Sequence, residues 1–407
     1  MKCTRRRGAS DNGWGRDMET AERWIGRGEA LARLGVKTQT LYAYVSRGRI
    51  AARPDPANPR RSLYAVDDIE RLNAPRPVGD AEGGALLVPF PTPAVRGEVA
   101  VPSSLSIVAD GRLFYRGLDA VQFSQGSTVE DVARLLWDAR ELNPFSGLGP
   151  RLDSAGGINA RTRLFGALAR RAHEDPTSAR RDPLALRIEA ASVLNEVIDA
   201  VSGPGPRLHF HQRLGRGWKL LERDSPLIRR ALVLAADEGS CPAAVATRMA
   251  ASGGASLAGA ALAGLITVAG SVDQADLIAA IAYVHEARRD PAGVAARRFA
   301  DGTLPGFGGL AWPEGDPRAP SLIASAALPA DLAGVAREGE AVSGLKPTLN
   351  LALSLLARRL DLPRDAAADL MLIGRLVGLL GHALDQVIDG SPIAARLRYV
   401  GPRPGAH

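Results

Sequence analysis

The sequence predicts a mainly α-helical protein in which a small basic domain precedes a much larger helical domain. From about residue 128 onward, apolar residues recur at helical spacing, Ala and Leu dominate, and Pro and Gly pairs separate the helices. A Pro- and Gly-rich stretch before this region is typical of a linker. We therefore expect a disordered tail at residues 1–22, a small domain at 23–74, a linker at 75–100 and a helical domain at 101–407.

The composition is that of an ordinary globular protein, with 46% hydrophobic and 23% charged residues in 407. No run of eighteen apolar residues occurs, so neither a transmembrane helix nor a membrane partner is expected. The polar start of the chain argues against a secretory signal. Cys3 and Cys241 are too few for a disulfide framework, which favours the cytoplasm. Neither they nor the six histidines have metal-ligand spacing, so no metal or other cofactor is predicted.

The positive charge is concentrated at the start of the chain. Residues 1–74 hold 15 of the 51 Lys and Arg residues but only 9 of the 44 Asp and Glu residues, and the rest of the chain is nearly neutral. A localised basic surface suits a polyanion such as DNA. A charged tail that only aids solubility would have the same composition.

Two short helices separated by a glycine are predicted near the N-terminus. Residues 29–36 form the first helix, which Gly35 ends, and residues 37–45 form the second, with Thr38 as its cap. Apolar residues of both would pack inward, and the outward positions of the second helix would face DNA in the major groove. These candidate DNA-contacting residues are Thr38, Gln39, Tyr42 and Arg47.

A two-stranded wing is predicted after these helices. The stretch from Arg49 to Tyr64 is broken by prolines and carries Arg60 and Arg61, whose side chains could contact phosphates. Residues 66–72 then form a closing helix. Over about fifty residues this pattern resembles the winged helix-turn-helix of MerR-like and excisionase-like proteins, which implies DNA binding. The alternative is a remnant that only packs or mediates self-association.

A hairpin that leads into a capped helix is predicted at the start of the large domain. Asp110-Gly111 would form the turn, Thr128 or Ser127 would cap the helix, and Glu130 and Asp131 would lie in its first turn. This segment, with Leu113-Phe114-Tyr115-Arg116-Gly117 and Leu135-Leu136-Trp137, resembles the opening segment of citrate synthases.

The resemblance to citrate synthases continues to the end of the chain, in the family's motif order over about 300 residues. It implies an almost all-α, two-subdomain protomer that dimerises, with active sites in the cleft between subdomains. The motifs that carry it are Ala235-Ala236-Asp237, Arg248-Met249-Ala250, Pro305-Gly306-Phe307-Gly308, Gly315-Asp316-Pro317-Arg318, Lys346-Pro347, Ile373-Gly374-Arg375-Leu376-Val377-Gly378, His382-Ala383-Leu384-Asp385-Gln386 and Arg398-Tyr399-Val400-Gly401.

The groups that perform the chemistry in citrate synthases are replaced at the matching positions. A carboxylate removes a methyl proton from acetyl-CoA, one histidine stabilises the resulting enolate, and others bind and polarise oxaloacetate. Matched residue by residue, the family's histidines fall on Glu238, Asp273 and Gly309, and its aspartate base falls on Asn350. An amide cannot accept the proton as a carboxylate can, a glycine has no side-chain donor, and an ionised Asp273 would repel an enolate.

Part of the family's carboxylate clamp remains. The resemblance implies that Arg318 and Arg375 bind ligand carboxylates bidentately. The third arginine of the clamp, which the partner subunit supplies in the family, falls on Ala394, although Arg396 could partly substitute. None of the six histidines lies in the three motif loops, so a shift of register in one loop would not restore the set.

These observations support a citrate synthase homologue with little or no synthase activity that acts as a ligand-binding regulatory or partner subunit. Its ligand would be a keto acid or an acyl-CoA, and its partners a second copy, an active citrate synthase paralogue or DNA. The main alternative is an active citrate or 2-methylcitrate synthase of the tricarboxylic acid cycle, which condenses acetyl-CoA or propionyl-CoA with oxaloacetate. A purely structural partner, or another acyl-CoA reaction with Glu238 and Asp273 as paired carboxylates, are further alternatives.

Overall fold

In the computed structural model of the protein, the chain divides into two compact units, residues 1–84 and 85–407. The structure describes residues 24–34, 38, 41–42, 45, 50–55, 58–66, 68–69, 101–150, 156–239, 241–309 and 311–393. The predicted tail at residues 1–22 and the predicted linker at 75–100 lie outside the described residues.

The described part of the first unit combines a three-stranded antiparallel sheet with helix. The sheet has the order β1-β3-β2 and consists of β1 (Trp24–Gly26), β2 (Ala52–Asp55) and β3 (Asn58–Ala65). Helix α1 (Arg27–Leu34) follows β1, and positions 38, 41, 42 and 45 are helical. A small core of Ala30, Leu41, Ile50, Tyr64 and Ile69 joins helix and sheet. The strands β2 and β3 lie in the segment for which the sequence predicts a two-stranded wing, whereas β1 was not predicted.

The second unit opens with the predicted hairpin and capped helix. The strands β4 (Ser106–Ala109), β5 (Arg112–Tyr115) and β6 (Leu118–Asp119) pair antiparallel in that order. The turn residues Asp110 and Gly111 have φ values of 49° and 66°, a backbone conformation that Gly and Asp adopt more readily than other residues. Helix α2 (Ala120–Phe123) precedes α3 (Val129–Leu136), where Thr128 forms a capping box with Asp131.

Twelve further α-helices complete the described part of the second unit. They are α4 (Ala160–Glu174), α5 (Pro183–Ser202), α6 (Phe210–Gly217), α7 (Ser225–Leu234), α8 (Pro242–Ser252), α9 (Leu257–Ala269), α10 (Val272–Ala287), α11 (Pro291–Arg298), α12 (Arg318–Ser325), α13 (Ala330–Ser343), α14 (Leu349–Arg359) and α15 (Ala366–Ile388). The prediction of a mainly helical protein is therefore confirmed.

The apolar residues of the second unit form two hydrophobic cores. The larger core surrounds α15, against which α5, α7, α8, α9 and α3 pack. The smaller core, which includes Tyr283, Phe307 and Leu355, is formed by α10, α11, α13 and α14 with the loop before α12. The two cores share α10 and α14, and the boundary between packed cores is a place where ligand clefts commonly form.

Helix α15 has the length and apolarity of a membrane span, but its apolar window is wholly buried in the larger core. The helices α9 and α10 pass the same test only if they are counted as one span bent by 55°. Burial on all sides is what a central core helix requires, and it explains why α15 is apolar around its whole circumference.

Candidate functional site

The boundary between the two cores brings together the charged residues that the sequence singled out. Arg375 lies in the middle of α15 and Glu238 follows α7, both within the larger core. Asp273 begins α10 and Asn350 begins α14, helices that contribute to both cores, and Arg318 begins α12. Four helix ends therefore converge on one region, which we call the cleft.

Two glycines explain why Arg375 reaches the segment after α7. A Cβ atom at Gly374 would lie 2.7 Å from the Cβ of Ala235, and a Cβ at Gly378 would overlap the carbonyl oxygen of Ala236. Without side chains at these positions, α15 packs directly against the backbone, and the amide of Gly378 donates a hydrogen bond to the Ala236 carbonyl at 3.1 Å. This close approach positions Arg375 beside Glu238.

The guanidinium of Arg375 is buried and contacts a carboxylate of the chain itself. Its Nη2 contacts Oε2 of Glu238, and its Nη1 lies 3.9 Å from Oδ1 of Asp237. The side chain of Arg375 is 2% exposed, whereas that of Glu238 is 30% exposed. A buried guanidinium needs such partners, because an unpaired buried charge is strongly destabilising.

Asp237 is held in a buried network that fixes this segment. The Ser106 hydroxyl donates to its Oδ2, and His382 Nε2 lies 3.3 Å from the same oxygen. His382 Nδ1 accepts a hydrogen bond from Arg248 Nε at 3.1 Å. Burial alone would raise the pKa of the Asp237 carboxyl, but His382, Arg375 and Ser106 together hold that pKa below its ordinary value. His382 thus supports the segment that carries Glu238.

Arg318 is fixed by the aspartate two residues before it. Asp316 accepts hydrogen bonds from Nε and Nη2 of Arg318, each at 2.9 Å, and its Oδ2 also accepts from the backbone amide of Leu349 at 3.1 Å. The pair is buried and joins the start of α12 to the start of α14. Arg318 is therefore held in one orientation, as a bidentate pair requires.

Asn350 acts as a hydrogen-bond donor to two aspartates. Its Nδ2 donates to Oδ1 and the carbonyl oxygen of Asp273, both at 3.1 Å, and to Oδ2 of Asp276 at 2.9 Å. Asp276 also accepts from the amide of Gly306 at 3.0 Å. An amide nitrogen satisfies this site, and a carboxylate at the same place would face two like charges.

The carboxyl of Asp273 faces both solvent and the charges of the cleft. Its pKa is raised, first because desolvation disfavours the charged form and second because Glu238 is a nearby negative charge. Arg375, Arg318 and the Asn350 amide act in the opposite direction. The cleft therefore already holds an excess of closely spaced carboxylates.

The loop at 306–309 has a backbone that suits glycine. Gly306, Gly308 and Gly309 have φ values of 79°, 70° and 145°, where residues with a Cβ are strained. Gly309 is exposed, and a Cβ there would contact nothing within 4 Å. Space is available at this position, but the conformation of the backbone disfavours a histidine.

The two cleft arginines keep nitrogen atoms without a hydrogen-bond partner among the described residues. These atoms are Nε and Nη1 of Arg375 and Nη1 of Arg318. All three are buried, and leaving a buried polar donor unpaired costs about 1–3 kcal/mol, and more for a charged group. The two arginines lie close enough for their charges to influence each other, and an anion within hydrogen-bond distance would satisfy these donors.

The structure brings together five of the predicted cleft residues: Glu238, Asp273, Asn350, Arg318 and Arg375. Gly309 lies in the exposed part of the loop at 306–309. Arg396 lies outside the described residues. Sequence reasoning missed Asp276 and Cys241. Burial raises the pKa of the Cys241 thiol to about 11, so it stays protonated near Glu238 and Arg375. The described residues contain no cluster of His, Cys, Asp and Glu that could hold a metal ion.

The predicted DNA-contacting residues are described only in part. Tyr42 is 50% exposed and Arg61 is exposed, whereas Thr38 is half-buried. Gln39 and Arg47 lie outside the described residues, and only the backbone of Arg60 is described, in β3. Tyr64, which the sequence associated with the wing arginines, is 2% exposed and belongs to the small core.

The helices of the second unit place this chain in the class of mainly α-helical proteins. Residues 158–397 match the family model described as citrate synthase, C-terminal domain. This match covers more than half of the chain, and the protein belongs to the citrate synthase family. A comparison with curated proteins gives no match.

Three solved structures share this fold. Citrate synthase from Thermoplasma acidophilum, in a ternary complex with carboxymethyl coenzyme A and oxaloacetate, is 16% identical with a TM-score of 0.62, over 76% of this chain and 95% of that chain. Citrate synthase from Thermotoga maritima is 19% identical with a TM-score of 0.58, over 75% and 94%. That from Pyrobaculum aerophilum is 17% identical with a TM-score of 0.61, over 75% and 91%. At these identities the likeness shows the fold alone.

Proposed function

We propose that this protein binds a carboxylated metabolite in its cleft and performs little or no citrate synthesis. The observation that carries the binding function is the set of buried nitrogens on Arg318 and Arg375 that have no hydrogen-bond partner among the described residues. A ligand carboxylate would satisfy these donors with charge-assisted hydrogen bonds. The ternary complex of the Thermoplasma acidophilum enzyme supports a keto acid or an acyl-CoA as the ligand class.

The loss of catalysis rests on the four replaced positions. Asn350 is engaged as a donor to Asp273 and Asp276, which leaves it no role as a base. Gly309 has no side chain to polarise a keto group, and Glu238 and Asp273 add negative charge where an enolate would form. Removal of one such stabilising group costs roughly 10²- to 10³-fold in rate, and cooperating groups fail as a unit.

An assay of thiol release tests this proposal directly. Purified protein with acetyl-CoA and oxaloacetate should release no CoA thiol above the uncatalysed rate, while the Thermotoga maritima synthase serves as the positive control. Propionyl-CoA is tested in parallel. Turnover by this protein would overturn the proposal and favour the second candidate.

The second candidate is an active citrate or 2-methylcitrate synthase. Family membership and the likeness to three citrate synthases over most of their lengths favour it. The two candidates also differ in ligand binding without turnover. Under the first, titration calorimetry detects saturable keto-acid binding that Arg375→Ala abolishes, while the exposed-site control Arg297→Ala leaves it unchanged.

We further propose that the protein self-associates, or pairs with an active paralogue, through α5, α8 and α9. Helix α9 packs against both α8 and α5, and all three helices expose large apolar side chains to solvent. Contiguous exposed apolar surface commonly marks a protein interface. The exposed residues are Leu184, Ile188, Val245 and Ile266. Ile266→Glu should reduce the molar mass in multi-angle light scattering; an unchanged mass argues against this face.

The N-terminal unit is proposed to bind DNA. Its basic excess and the exposure of Arg61 and Tyr42 support this role. Binding should weaken steeply with salt, and the double variant Arg60→Ala/Arg61→Ala should lower the salt slope by roughly 2, since each lost phosphate contact removes about 0.9. The control Arg297→Ala/Arg298→Ala should keep the slope. Equal slopes for both variants would contradict the wing assignment.

A further inference from the structure

Glu238 places a carboxylate of the chain itself on the clamp. Its Oε2 contacts Nη2 of Arg375, the guanidinium that the proposed function assigns to a ligand carboxylate. Arg375 is buried, whereas Glu238 remains accessible to solvent. Glu238 and an entering carboxylate therefore compete for the same cation.

Carboxylates outnumber guanidiniums in the cleft before any ligand binds. Arg318 is neutralised by the bidentate contact with Asp316. Arg375 is shared between Glu238 and Asp237. Three carboxylates thus accompany two guanidiniums before any ligand enters. Asp273 adds a fourth, and the effect of Glu238 on its pKa shows that the two carboxylates are electrostatically coupled.

The donors that remain suit a single carboxylate. Nε and Nη1 of Arg375 and Nη1 of Arg318 lack hydrogen-bond partners among the described residues, and each could donate a charge-assisted hydrogen bond to a ligand carboxylate. If the ligand carried a second carboxylate, Nη2 of Arg375 would already be in contact with Glu238. That second carboxylate would also face the negative charges of Glu238 and Asp273. Like charges brought close together outside water repel strongly.

We infer that Glu238 selects the charge of the ligand, so that the cleft binds monocarboxylates in preference to dicarboxylates. This inference rests on the proposed ligand-binding function and names the substrate class of that site. In this respect Glu238 is a specificity-determining residue. The Glu238 carboxylate discriminates between ligands because it destabilises the complex with a dicarboxylate.

The test compares two stable acids that differ in one group. S-malate and S-2-hydroxybutanoate share a hydroxy acid head and end in a carboxylate and a methyl group, respectively. At pH 7.5, titration calorimetry of the full-length protein should show at least about tenfold tighter binding of 2-hydroxybutanoate, which corresponds to about 1.4 kcal/mol. Glu238→Gln should bind malate at least about tenfold more tightly than the wild type does.

The matched control is Glu286→Gln, which removes the same charge from an exposed position at the far end of α10 and should keep the wild-type preference. Glu238→Ala provides a second variant if Glu238→Gln unfolds, and the wild-type comparison needs no variant. Tighter binding of malate by the wild type, or an unchanged ratio in both Glu238 variants, overturns this inference alone. Binding of neither acid by the wild type overturns the ligand-binding function together with it.

Discussion

At the residue scale, Asn350 shows how one substitution changes the chemistry of a cleft. The resemblance to citrate synthases implies a base at position 350. The Asn350 amide instead donates hydrogen bonds to both Asp273 and Asp276. Asn350, whose amide cannot act as a base, thus allows the carboxylates of Asp273 and Asp276 to lie close together. The same amide nitrogen therefore has a structural role between α14 and α10.

Asn350→Asp should destabilise the fold by about 1–3 kcal/mol at pH 7, because it replaces a buried donor with a third carboxylate. It should not restore thiol release, since no histidine accompanies it. The introduced carboxyl has a raised pKa in the folded state, so the folded chain binds more protons than the unfolded chain and the destabilisation shrinks as pH falls. Urea denaturation at pH 5 and pH 7 measures both effects.

The matched variant is Asn143→Asp, at an exposed asparagine whose side-chain oxygen accepts from the amide of Phe145. A carboxylate can accept the same bond, so this variant should change stability little. An Asn350→Asp protein that is as stable as Asn143→Asp would mean that Asn350 is not needed as a donor.

Among the elements, the central helix α15 sets the distances between residues in the cleft. Gly374 and Gly378 lie one turn apart and set its distance from the end of α7, and Arg375 lies between them. The Tyr115 hydroxyl holds the other side of the contact, because it donates to the carbonyl of Val233 at 3.0 Å. The hairpin predicted from sequence thereby supports the segment that carries Glu238.

Gly378→Ala and Gly374→Ala should each destabilise the fold by about 1–3 kcal/mol, because the added methyl group overpacks a backbone contact. Gly334 offers the control. It lies in α13, where an added Cβ would meet only ordinary contacts at 3.5 Å and beyond. Gly334→Ala should be neutral or stabilising by up to about 1 kcal/mol through helix propensity. Urea denaturation of the three variants decides, and equal stabilities would contradict the close-approach argument.

For the molecule as a whole, one buried acid should contribute to how stability depends on pH. Asp369 lies near the start of α15, and its Oδ1 is 4.0 Å from Nε of Arg161 on α4. Burial raises the pKa of this carboxyl to about 6, and the partial charge compensation by Arg161 does not cancel that effect. A buried acid with an incomplete partner makes the larger core sensitive to acid–base conditions.

The sign follows from proton linkage. The folded pKa of Asp369 is higher than its ordinary value of 3.8, so the folded state binds more protons between pH 4 and pH 6. Stability due to this group is present below that interval and is lost as pH rises through it. Asp369→Asn should therefore raise the thermal midpoint at pH 7 more than at pH 4. The exposed Asp361→Asn is the control, and an identical pH profile for wild type and Asp369→Asn would refute the assignment.

The helical class, the hairpin and the capped helix could all be predicted from the sequence alone. These depend on periodicity, turn chemistry and motif order, which act over a few residues or are read directly along the chain. Thr128 as the helix cap and Asp110-Gly111 as the turn were predicted for this reason.

The contacts and charge interactions between the cleft residues could not be predicted from the sequence. Glu238 and Arg375 are far apart in sequence, and their contact depends on how closely α15 packs on the segment after α7. The same is true of Asn350 and Asp273, which begin different helices of the smaller core. Charge interactions depend on distance and burial, and neither quantity is encoded locally, so the competition of Glu238 for the clamp emerges only once the helices are packed.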